Sequence, residues 1–160
     1  MKNLLSVEQS ATLIAKGISA DKASMCQLYS DYDGEIIDPS EVFEDCGKLL
    51  AVVDDEAIEV NRDIVPKDSD FDHSFADDMP IFTLADLLSI LPKKITFGHR
   101  TNCRLKMQPI ISAKDATSEV WQACYLHTSL KANAEADELI DSLYEILLWA
   151  IDNGYIDLPK

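Results

Sequence analysis

Glycine is scarce in this chain: five among 160 residues, each standing alone, at 17, 34, 47, 98 and 154. A loop that cradles phosphate needs clustered glycines, and neither GxSxG, HExxH nor GxxxxGKS/T occurs. Four cysteines, at 26, 46, 103 and 124, form no CxxC pair and no short Cys/His spacing. A zinc site requires ligands that converge, so none is expected, and the four read as small buried hydrophobes. Apolar runs are short as well. The longest, Ile146–Ile151, falls far below the roughly 20 residues that span a membrane. The opening Met-Lys-Asn-Leu-Leu-Ser-Val-Glu-Gln has a two-residue apolar run and does not read as an export signal. Reduced thiols and a cytoplasmic location are therefore expected.

Positive charge is the other shortage, with 14 Lys and Arg against 29 Asp and Glu, net −15 and a pI near 4.3. The imbalance is local. Residues 31–80 carry seventeen acidic and three basic side chains, whereas residues 93–131 are net +5. A chain so charged repels nucleic acid and anionic membranes at long range, so neither is expected as a partner. What remains is ordinary for a soluble domain: 47% apolar and 27% charged residues, at a length sufficient to bury a core without staples.

Along the chain, Ser6-Val7-Glu8-Gln9 has capping-box spacing and opens a helix with Val7, Ala11 and Ile14 on one stripe, stopped at Gly17. Residues 24–37 read as a hairpin about Asp33-Gly34, a dipeptide suited to a type I′ turn. Leu49–Val53 reads as a buried strand paired with Ile58–Val60, giving a second hairpin over 49–60. Residues 61–80, charged and with two prolines, read as a long loop. Thr83 caps a helix over 83–91 with Leu84, Leu87, Leu88 and Leu91 on one stripe and Pro92 as its stop. Residues 103–112 alternate strictly, with Cys103, Leu105, Met107, Pro109 and Ile111 opposite Arg104, Lys106, Gln108 and Ser112. Pro109 marks an edge or a bulge. Glu119–His127, apolar on both faces, reads as a central strand. The last helix, over 134–152, is capped by Asn133, carries Glu135, Asp137 and Glu138 in its first turn, and ends at Asn153-Gly154.

Candidate chemistry concentrates in Asp68–Asp78. Asp68, Asp70 and Asp72 match positions 1, 3 and 5 of a calcium loop, but His73 and Met79 stand where that loop needs Gly and Glu, which excludes an EF-hand. His73 among carboxylates suits a metal-assisted hydrolase only if geometry converges around it. No local signature selects a Cys/His pair from the cysteines and His73, His99 and His127. Lys93, Lys94, Arg100, Arg104 and Lys106, with Phe97 among them, form a basic cluster on the alternating strand and its approach. Trp121, Tyr144 and Trp149 read as core.

Two stretches carry a resemblance. They are Phe82-Thr83-Leu84-Ala85-Asp86-Leu87-Leu88-Ser89-Ile90-Leu91-Pro92-Lys93, and Glu138-Leu139-Ile140-Asp141-Ser142-Leu143-Tyr144-Glu145-Ile146-Leu147-Leu148-Trp149 continuing to Asn153-Gly154-Tyr155. Together they resemble small uncharacterised proteins of phage-like and other mobile elements in gut Bacteroidetes, as does the Lys22-Ala23-Ser24-Met25 entry to the first hairpin. The resemblance implies a bacterial, intracellular origin and brings no activity with it.

The expected fold is a single α+β domain over 1–160. It has an antiparallel-rich sheet from hairpins at 24–37, 49–60 and 103–127, packed by the 134–152 helix with the 83–91 helix beside it. The alternative is two lobes divided in the 61–80 loop. The expected function is that of a non-enzymatic accessory or interaction protein without a cofactor, binding a basic protein through Asp70, Asp72, Asp77 and Asp78. An acidic mimic of nucleic acid and a metal-assisted hydrolase are the alternatives, and nothing in the composition sets an oligomeric state.

Overall fold

A computed structural model describes residues 2–97, 101–112, 114–127 and 130–158, with the backbone alone for 97, 101, 102, 126, 127, 130 and 131. His99 and Arg100, and the side chains of Phe97 and His127, lie outside the described residues. The chain is α+β, its strands pair antiparallel throughout, and it forms two compact units, 19–81 and 1–18 with 82–160. No helix among the described residues is long and apolar enough to cross a membrane.

In the 19–81 unit the strands are β1 (Met25–Ser30), β2 (Ile36–Ile37), β3 (Val42–Asp45), β4 (Lys48–Val53), β5 (Glu56–Glu59), β6 (Asn61–Pro66) and β7 (Pro80–Ile81). One sheet runs β2-β1-β6, with β7 also paired to β1; the other runs β3-β4-β5. The core that both sheets share is Tyr29, Ile37, Ala51 and Val60, joined by Val42, Leu49, Ile58 and Met79.

Four expectations change here. The first hairpin is closed by a three-residue loop. Gly34 alone has positive φ (+85°), its N–H donates to Asp31 O, and the Asp31 carboxylate accepts from the N–H groups of Asp33 and Glu35. This is a type I turn with a glycine bulge rather than type I′. The 61–80 stretch is no long loop, because Asn61–Pro66 pairs with β1 along its whole length. Its charges suit an edge strand, whose outer side meets water. Leu49–Val53 is buried on one face only: Ala51 is inaccessible, while Val52 is 54% exposed. Cys46 is exposed in the β3–β4 turn, whereas Cys26, Cys103 and Cys124 are buried.

The other unit comprises α1 (Val7–Ala15), α2 (Leu84–Ile90), β8 (Lys94–Phe97), β9 (Thr101–Ile111), β10 (Glu119–His127), β11 (Leu130–Ala136) and α3 (Leu139–Asp152). Its sheet is a meander, β11-β10-β9-β8, and α3 packs across β10 and β11 with α2 against it. The capping boxes of Ser6/Gln9 and Thr83/Asp86 both form. In α1, however, the buried line is Ser10 and Leu13, with Ala11 exposed. Ser10 turns inward because its Oγ accepts the Phe82 N–H.

β10 is central, as its two apolar faces require, and the Tyr125 hydroxyl donates to Pro92 O. Burial pushes that phenol well above its ordinary pKa. Ser112 donates to Ser118 O, so alternate residues of β9 bond to β10 and the ring nitrogen of Pro109 faces the other edge. Among the described residues β8 pairs with 101–104 and stops short of Pro109, where no strand is paired to that edge. The expected edge proline is in place.

The last helix starts later than expected. Asn133 lies in β11 opposite Cys124, and Glu138 occupies the cap of α3, its Oε2 accepting from the Lys2 N–H at 3.1 Å rather than from the first turn of the helix. Ala132, Ala134 and Ala136 share one face of β11, alternating with Asn133 and Glu135. Alanine favours helix by propensity, but period-two spacing and the closeness of α3 select a strand.

Candidate functional site

The four aspartates proposed as a contact surface all belong to the 19–81 unit, yet they do not act alike. Asp70 and Asp72 line an open depression of about 520 Å³ with Gly34, Glu35, Ile36 and Phe71. Asp72 caps the short 3₁₀ turn His73–Phe75, accepting from the Ser74 Oγ at 2.6 Å and N–H at 2.9 Å. Those two bonds hold its carboxyl below the ordinary range. The His73 ring lies tilted against Phe71, with ring centroids 4.2 Å apart and 37° between the planes.

Asp77 is engaged inside its own unit. Lys67 Nζ donates to its Oδ1 at 2.8 Å and to Ala20 O at 2.7 Å. The lysine side chain is 19% exposed, so this pair ties the segment after β6 to the turn before β1. Asp78 is exposed in the turn leading to β7. Asp70, Asp72 and Asp78 thus present charge to solvent, while the charge of Asp77 is already countered.

The remaining sequence candidates separate. The basic cluster lies in the other unit, where Lys94 stands opposite Arg104 across β8 and β9, and Lys106 follows on the same side of β9. The three are exposed. An open cleft of about 500 Å³ beside α3 is lined by Asn133, Glu135, Asp141, Glu145 and Trp149, among others. Asp141 is occupied there: Lys2 Nζ and Gln9 Nε2 bond its Oδ1 at 2.9 and 3.0 Å. Burial raises its pKa, but these bonds and the lysine charge outweigh burial and hold it below the ordinary value. Trp149 stacks on Tyr155 at 5.3 Å and neighbours Tyr125 at 6.3 Å. Tyr144 is buried in α3. Among the described residues, no group of three or more His, Cys, Asp and Glu is gathered as a metal site.

Compared with protein-family models, curated proteins and solved structures, the chain finds no match.

The division into units exposes what the 31–80 charge tally only approximates. Residues 19–81 carry eighteen acidic and four basic side chains, net −14, and the other unit is net −1. The charge boundary coincides with a structural boundary. Composition alone contains this signal, since net charge changes where the first sheet begins and ends, but only the contacts show that the acidic stretch folds as a unit.

Proposed function

We propose that this chain is a small acidic interaction protein, non-enzymatic, which binds a basic protein partner through its 19–81 unit. The observation that carries the reading is the charge partition: net −14 on 63 residues beside net −1 on the remaining 97. Like charges crowded on a small unit repel one another and oppose its compact state. A basic partner relieves that repulsion and releases condensed counterions, so association is favoured most where acidic density is highest. The resemblance of 82–93 and 138–155 to proteins of bacterial mobile elements implies a bacterial, intracellular origin and adds no activity to this reading.

Affinity capture from a bacterial lysate tests this. The wild-type chain is expected to retain a basic protein at low salt and release it at high salt. Replacing Asp70, Asp72 and Asp78 with Asn is expected to weaken retention. Adding Asp77→Asn is expected to weaken it little further, because that charge is already paired with Lys67. A partner retained equally by wild type and the quadruple variant at low salt would show that this acidic segment is not the contact surface.

A further inference from the structure

The β3-β4-β5 sheet has two faces of opposite fate. Val42, Leu49, Ala51 and Ile58 join the core. Residues directly opposite across antiparallel strands share a face, so the register places Phe43 beside Leu50 and Val52 beside Ala57 on the other side. That face meets solvent: Phe43 is 41% exposed and Val52 54%, Leu50 is half-buried and Ala57 exposed. The four side chains form one continuous apolar band, because Leu50 and Val52 are successive residues of the same face of β4.

The band ends in charge on both sides. Beyond Val52 and Ala57 lies the Asp54-Asp55-Glu56 turn; on the other side Glu59 stands directly opposite Leu50, and Asp45 stands opposite Lys48, whose Nζ is 3.4 Å from Glu59. We propose that this outer face of β3-β4-β5 is a docking surface for a basic amphipathic segment of a protein partner. Apolar side chains of the segment cover the band, and its lysines or arginines meet the Asp54-Asp55-Glu56 turn at the end where no lysine stands. Charge selects this occupant. A second copy of the chain would bring another −15, and an anionic membrane would meet the same repulsion. The inference rests on the acidic-unit reading above and adds the 42–59 sheet to the 70–78 segment as contact surface within that unit.

The test measures fluorescence anisotropy of a labelled peptide with a leucine-rich centre and lysines at both ends, titrated with the full chain. An analogue with glutamate ends and an oligolysine serve as comparators. Phe43→Ser and Val52→Ser are made singly. Both side chains are largely outside the core, and unchanged melting curves confirm folding. Tyr32→Ser, at a residue 94% exposed on the first hairpin, is the control. The lysine-ended peptide is expected to bind, the glutamate-ended one not. Each band variant is expected to weaken binding about tenfold, the loss for one apolar side chain left uncovered, and the Tyr32 variant to leave it unchanged. If oligolysine binds equally well and the band variants change nothing, the docking surface is overturned while the acidic-unit reading stands. If neither cationic peptide binds, both are overturned.

Discussion

Cys46 has φ +51° in the β3–β4 turn and is exposed, while the other three thiols lie in packed interiors. Burial pushes the Cys26 and Cys124 thiols above their ordinary pKa, which lowers their thiolate fraction further. A thiol-reactive chromophore is therefore expected to label one cysteine rapidly in the native chain and all four in denaturant. A second rapid thiol would show that one of these interiors opens. Asp141 offers a second test at this scale. Its carboxyl, depressed by Lys2 and Gln9, stabilises the fold above its unfolded pKa and loses that contribution as pH falls through the folded value. Asp141→Asn is expected to cost about 1 kcal/mol at neutral pH. In urea titrations the gap to wild type should shrink below the ordinary carboxyl value of 3.8. A constant gap down to strongly acidic pH would contradict the assignment.

At the scale of elements, turns show where local chemistry and tertiary demand part. Two-residue turns close both hairpins of the β3-β4-β5 sheet, with Cys46 and Gly47 at φ +51° and +79°, and Asp54 and Asp55 at +51° and +64°. Asp54 and Asp55 hold a conformation that Asn-Gly adopts at less cost. Asp54→Asn with Asp55→Gly is expected to stabilise the chain by about 1 kcal/mol, seen as a higher urea midpoint at unchanged slope. Gly47→Ala is expected to lose about 1 kcal/mol from backbone conformation alone, since a Cβ there would meet nothing within 4 Å.

The elements legible in the sequence are those whose local signals agree. Ser6 with Gln9 and Thr83 with Asp86 cap their helices, and the alternation of β9 and the leucine stripe of α2 need no tertiary help. The rest was hidden where signals conflict. Asn61-Arg62-Asp63 looks like loop because its charges fit a strand only at an edge. Ala132–Ala136 looks like the start of a helix because alanine leads the helix scale. Of the candidate site, the acidic stretch was visible from composition. The engagement of Asp77 by Lys67 and the outward turn of Phe43 and Val52 depend on pairings that spacing does not encode.

For the whole molecule, the uneven charge has consequences of its own. Self-repulsion within the 19–81 unit is screened by salt, whose Debye length falls from about 30 Å at 0.01 M to about 8 Å at 0.15 M. The melting temperature is therefore expected to rise with sodium chloride at neutral pH, and a fall would contradict net repulsion. The most direct measurement of where a partner binds is an amide chemical-shift titration of the full chain with the lysine-ended, leucine-centred peptide. Shifts are expected to cluster on Val42–Glu59, strongest about Phe43, Leu50, Val52 and Ala57. Shifts gathered on Arg104–Ile111 of β9, with the 19–81 unit unmoved, would contradict it.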